Sequence, residues 1–71
     1  MRRPPELTAR RLVRAIQRAG FVEVRRSGSH RVLRHPDGRW LVFAFHDSDR
    51  IGPKMLARVA RRAGLTIEDL R

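Results

Sequence analysis

Residues 20–45 read Gly-Phe-Val-Glu-Val-Arg-Arg-Ser-Gly-Ser-His-Arg-Val-Leu-Arg-His-Pro-Asp-Gly-Arg-Trp-Leu-Val-Phe-Ala-Phe, and this stretch decides the fold. Three strand-like runs stand out: Phe21 to Arg25, Ser29 to Arg34 and the continuously apolar Trp40 to Phe45. Ser27-Gly28 supplies a turn between the first two. His35-Pro36-Asp37-Gly38-Arg39 supplies a hairpin loop, with Pro suited to the first turn position and Gly to a positive φ. Short turns between successive strands predict an antiparallel meander.

Helices flank the meander. Thr8 is a good N-cap, and Ala9, Leu12, Ala15 or Ile16 and Ala19 recur at helical spacing, with Arg10, Arg11, Arg14 and Arg18 on the other face. Gly20 is placed to end this helix. Pro53 fits the first turn of a second helix, whose apolar stripe is Met55, Leu56, Val59, Ala60 and Ala63 and whose end is Gly64. Asp47 and Asp49 are expected to cap that helix. Thr66 to Leu70 reads as a final capped turn. Residues 1–7 read as a short arm kept extended by Pro4 and Pro5, with Leu7 packing on the first helix. The predicted class is α+β, in the order helix, three strands, helix. The simplest closure packs both helices on one face of the sheet. The third strand then exposes either Trp40, Val42 and Ala44 or Leu41, Phe43 and Phe45. Such a stripe suggests a protein partner or self-association, unless the arm or the C-terminal turn covers it.

At 71 residues the chain is read as one domain, 1–71. A domain this small buries only about 60% of its unfolded surface, so chemistry is expected on the surface and not in a deep cavity. Lys and Arg total 17 against 7 Asp and Glu, a formal net charge of +10. A field of that sign concentrates polyanions, nucleic acid first among them. Compositional bias explains why only Lys54 is lysine, but not why acids fail to balance bases. Cysteine is absent, which excludes disulfides and thiolate metal sites. His30, His35 and His46 lack the close spacing of a ligand pair, so neither metal nor cofactor is expected. No apolar run follows Met1-Arg2-Arg3-Pro4-Pro5 and none has the length of a membrane span, so a cytoplasmic protein without membrane contact is expected.

The chemistry concentrates in Gly28-Ser29-His30-Arg31-Val32-Leu33-Arg34. Histidine exchanges protons near neutral pH, and arginine grips phosphate through a planar fork of donors. Together they suggest a site that holds a phosphodiester and moves a proton on it. His30 is the candidate proton-transfer residue. Gly28 and Ser29 are candidate phosphate contacts through backbone N–H and hydroxyl, although both also simply make the turn. Period-two alternation sends Arg31 and Arg34 to opposite faces, with Arg34 and Val32 on that of His30. Arg25 and Arg26 lie across the turn as further phosphate contacts. His46, after the third strand, is the candidate second acid or base. His35 is expected to serve the turn and Trp40 to serve packing.

Gly20-Phe21, Gly28-Ser29-His30, Arg34-His35-Pro36-Asp37-Gly38-Arg39, a histidine after the third strand, Ile51-x-Pro53-x-x-Leu56 and Ala63-Gly64-Leu65-Thr66 occur here in one order and spacing. In these motifs the chain resembles the HicA, or YcfA-like, toxins of bacterial toxin–antitoxin pairs, from Thr8 to Leu70. The resemblance implies an α-β-β-β-α fold like that of double-stranded-RNA-binding domains. It also implies a metal-free endoribonuclease acting on mRNA, with the catalytic histidine at His30, and a HicB-type antitoxin that covers the site. The chain departs from the family after Pro53: a glycine and a small hydroxyl residue are common there, and Lys54 and Met55 stand in their place.

Overall fold

A computed structural model describes residues 7–70; apart from Leu7, the expected arm lies outside the described residues. The elements are β1 (Leu7–Thr8), α1 (Ala9–Arg18), β2 (Val22–Ser27), β3 (His30–Arg34), β4 (Trp40–Ala44), β5 (Arg50–Ile51), α2 (Pro53–Ala63) and a final 3₁₀ turn (Glu68–Leu70). β2, β3 and β4 form the expected three-stranded antiparallel sheet.

Alternation along the strands divides the sheet into two faces. Leu33, Leu41 and Phe43 are buried and join Leu12, Ile16, Leu56 and Val59 of the helices in one core. Both helices therefore cover one face, as the paired apolar stripes predicted. His30, Arg34, Trp40, Val42 and Ala44 face the other way and are exposed. This settles which half of the apolar third strand points outward: Trp40 is 54% and Val42 64% accessible.

The cap signals act as read. Thr8 Oγ1 accepts a hydrogen bond from the Arg11 N–H at 3.3 Å. Pro53 opens α2 and Gly64 closes it in the left-handed region. Thr66 and Asp69 cap one another, the Thr66 N–H donating to the carboxylate at 2.8 Å and the Asp69 N–H to the hydroxyl at 3.2 Å. Gly20 follows α1 at φ +106°, where a Cβ would meet His35 Nε2 at 2.8 Å. Only glycine therefore fits under the imidazole.

Asp47 and Asp49 do not cap α2, whose N-cap is Gly52 with no side-chain bond. Strand β5 intervenes. It pairs with β1, Leu7 opposite Ile51 and Thr8 opposite Arg50. This pairing carries loop 46–49 to the start of α1, where the Asp49 and Asp47 carbonyls accept from the Ala9 and Arg10 N–H groups at 2.8 and 3.1 Å. The loop thus satisfies two of the N–H groups that a helix start leaves unpaired. The Asp49 carboxylate meanwhile accepts from the His46 N–H at 3.0 Å.

Candidate nucleic-acid interface and proton-transfer site

The site begins at a two-residue turn. Gly28 has φ +60° and Ser29 a negative φ, matching a II′ turn, which needs glycine in first place. The tight turn sets Ser27 directly opposite His30, and on the other side His30 stands opposite Ala44. The imidazole therefore emerges at the end of β3 on the helix-free face, exposed to solvent.

β2 carries an irregularity between Glu23 and Arg25. Glu23 pairs with Leu33 and Arg25 with Val32, so Val24 is an extra residue in the strand. The two-residue turn, by setting Ser27 against His30, already places Arg25 against Val32 on the His30 face and Arg26 against Arg31 on the other. A regular continuation would pair Glu23 with Arg34; the bulge instead turns Glu23 to the helix-covered face opposite Leu33, within 3.6 Å of Arg31. Bulges commonly re-aim side chains in this way. On the open face the register set by the turn leaves a cleft of about 280 Å³ lined by Arg25, Ser27, His30, Val32 and Val42. An imidazole, a guanidinium and a hydroxyl share one rim above two valines.

The other expected site residues fall outside this cleft. Gly28 and Ser29 form the turn itself and do not line it. Arg26 pairs with Arg31, opposite in facing to the Arg25–Val32 pair. Arg34 shares the face of His30 but lies four residues along the strand, about 13 Å at a rise of about 3.3 Å per residue. Its guanidinium sits over the Trp40 ring, 5.3 Å from the centroid. Trp40 is thus an exposed plate beside a cation and not a packing residue. His46 is exposed in the loop beyond β4 and does not line the cleft.

Arg31 is corrected most sharply. It was a candidate phosphate contact, yet it is 8% accessible and lies on the helix-covered face. Its Nη2 donates to the Asp47 carboxylate, and its Nε is 3.6 Å from Glu23 Oε1. Its donors are directed at these two carboxylates, so it joins β3 to its surroundings instead of meeting solvent.

His35 serves the second hairpin, as expected. Its ring meets Phe21 edge-on at 5.1 Å, and its Nδ1 accepts from the Asp37 N–H at 3.1 Å. Arg39 was missed by sequence reading. It binds Asp37 through Nε at 2.8 Å, covers the Phe21 ring and donates to the Ala63 carbonyl at the end of α2. Hydrogen bonds from the Arg39 side chain and then from its backbone N–H hold the Asp37 carboxyl below its ordinary value of 3.8. Ser27 as a site residue was also missed. The two-residue turn was the available signal, because it fixes positions 27 and 30 as partners.

Among the described residues no group of three His, Asp or Glu side chains is placed to hold a metal ion, and no helix is long and apolar enough to cross a membrane. No curated protein matches the chain. A family model described as the HicA toxin of bacterial toxin–antitoxin systems matches residues 9–65, which takes in α1, the whole sheet and α2. The chain therefore belongs to the HicA toxin family, and its fold is the α-β-β-β-α sheet-and-helix layer described above.

Proposed function

We propose that this toxin is a metal-independent endoribonuclease that cuts mRNA in the cytoplasm and is neutralised by a HicB-type antitoxin seated over the His30 cleft. The observation that carries the reading is the meeting of His30, Arg25 and Ser27 in one open cleft on a face that no helix covers. The ribose 2′-hydroxyl is the nucleophile and attacks the adjacent phosphorus. The bond from phosphorus to the 5′-oxygen breaks, leaving a 2′,3′-cyclic phosphate and a 5′-hydroxyl. His30 takes the proton from the 2′-hydroxyl or delivers one to the departing 5′-oxygen. Arg25 and the Ser27 hydroxyl donate to the non-bridging oxygens, whose charge grows in the transition state. Because the substrate supplies the nucleophile, DNA is bound but not cut. Trp40 and Arg34 hold a neighbouring nucleotide by stacking and charge.

A second reading, an RNA-binding module without catalysis, draws support from one observation: among the described residues His30 is the only histidine lining the cleft. One experiment separates them. Wild type and His30→Ala are incubated with a defined RNA in EDTA, and the termini are mapped. The catalytic reading expects cutting by wild type with cyclic-phosphate ends. It expects a loss of about 10²–10⁴-fold in the variant, the usual share of one proton-transfer group. The variant should keep its RNA affinity and its stability within about 0.5 kcal/mol, as for an exposed substitution. Intact RNA under saturating wild type supports binding alone.

A further inference from the structure

The strand order β2-β3-β4 leaves the outer edge of β4 without a partner strand among the described residues. Exposed edges invite pairing with another chain, and proteins usually guard them with charges, prolines or bulges. Trp40-Leu41-Val42-Phe43-Ala44 has no charge and no proline, and its register with β3 runs unbroken. Beside it lies an open cleft of about 260 Å³. Every residue from Leu41 to Phe45 lines this cleft, and Met55 and Val59 of α2 line it too. Successive side chains of a strand point to opposite faces. A cleft touched by five in a row therefore follows the backbone edge. Arg58 and Arg62, exposed and about one turn apart on α2, complete its lining.

We propose that this edge accepts an extended segment of another protein as an added strand. The segment carries apolar residues at alternate positions, which enter the cleft over Met55 and Val59, and is flanked by acidic residues that meet Arg58 and Arg62. Main-chain hydrogen bonds supply the affinity and alternate side chains the selectivity, as in other strand additions. Charge decides the occupant. A second copy would set +10 against +10 and bring two sets of Arg58 and Arg62 together, whereas an acidic segment is drawn in by the same field. The added strand lies beyond β4, so the proposal does not depend on the cutting chemistry.

The test is an NMR titration of the full chain with the peptide Glu-Glu-Val-Thr-Val-Thr-Val-Glu-Glu, whose central five residues match the length of β4. Two further forms carry N-methyl groups on the valines alone or on the threonines alone, at equal charge. The expected result is amide shifts along Trp40 to Ala44 and α2. One N-methyl form should bind at least tenfold more weakly than the other, because only alternate amides face β4. Arg58→Glu with Arg62→Glu should also lower affinity at least tenfold, with an unchanged melting temperature. Equal affinity for the two methylated forms would overturn the proposal. So would shifts confined to the His30 face, or a sedimenting dimer whose interface is β4.

Discussion

Arg25 and His30 share the open face of the sheet because the Gly28-Ser29 turn sets Ser27 opposite His30 and, two residues along, Arg25 opposite Val32. Arg25 lines the cleft of His30, and Arg26 does not. Two adjacent arginines of equal charge therefore receive unequal roles. Arg25→Gln should lower the single-turnover cleavage rate by up to about 10²-fold, the lower range for losing one donor to a developing oxyanion. Arg26→Gln should leave that rate within about twofold and only flatten the salt dependence of RNA binding, by roughly one unit of log–log slope. A register slipped by one residue at the turn predicts the opposite ranking, so equal or reversed effects would refute the Arg25–Val32 pairing.

The neighbour of His30 is held from the other side of the sheet. Arg31 binds Asp47 and approaches Glu23, with its own side chain only 10% accessible and the carboxylates 35% and 27%. Removing the cation leaves two partly buried carboxylates without it. A fully buried pair broken this way costs about 3–5 kcal/mol. Solvent reaches these acids, so Arg31→Ala should cost about 1–3 kcal/mol in urea unfolding. Arg31→Met keeps the aliphatic packing and should cost less. Neither variant should lose RNA affinity beyond what one unit of net charge explains. A large affinity loss in a fully folded Arg31→Met would restore Arg31 as a phosphate ligand.

The elements that sequence alone revealed are those with local signals. Thr8 and Gly20 bracket α1, Pro53 and Gly64 bracket α2, and the turns around Gly28 and at 36–38 sit beside their own strands. The first occupies 28–29, one residue later than the expected Ser27-Gly28. What stayed hidden acts over distance. The β1–β5 pairing joins two-residue segments more than 40 positions apart, too short to leave a pattern. Arg39 meets the Ala63 carbonyl across 24 positions. Alternation did place Arg31 opposite His30, but it gave no hint of Asp47. The bulge was illegible because Val22-Glu23-Val24 alternates equally well with or without an extra residue. Within the candidate site, His30 and Arg25 were readable from residue type. Arg34 and His46 lie outside the cleft, because a shared face or a nearby loop does not guarantee a shared cleft.

Trp40 is exposed on the same face, with Arg34 stacked on it. An exposed indole beside a guanidinium is a platform on which a base can stack. Trp40→Ala should weaken RNA binding by about 1–3 kcal/mol, the usual value of one base–aromatic contact. The cleavage rate at saturating RNA should stay unchanged, since the ring lies near Arg34 and about 13 Å from His30 at strand rise. Fluorescence anisotropy with a labelled single strand measures the first and single-turnover kinetics the second. Unchanged affinity would return Trp40 to a packing role.

Asp37 ties the second hairpin to α2 through Arg39, and its carboxyl is held below 3.8 by the Arg39 hydrogen bonds. The folded state thus favours the ionised form more than the unfolded chain does. That contribution is complete above about 3.8 and is lost as pH falls through the lower folded value. Asp69 acts in the same direction through Thr66. Asp37→Asn cannot ionise and lacks this dependence. Its melting temperature should lie below that of wild type by a constant margin from pH 7 to pH 5. The margin should shrink below about pH 3.8, because wild type alone loses the interaction on protonation. Parallel curves through the acid range, measured at fixed ionic strength, would mean that the Asp37–Arg39 contact carries no charge-dependent stability.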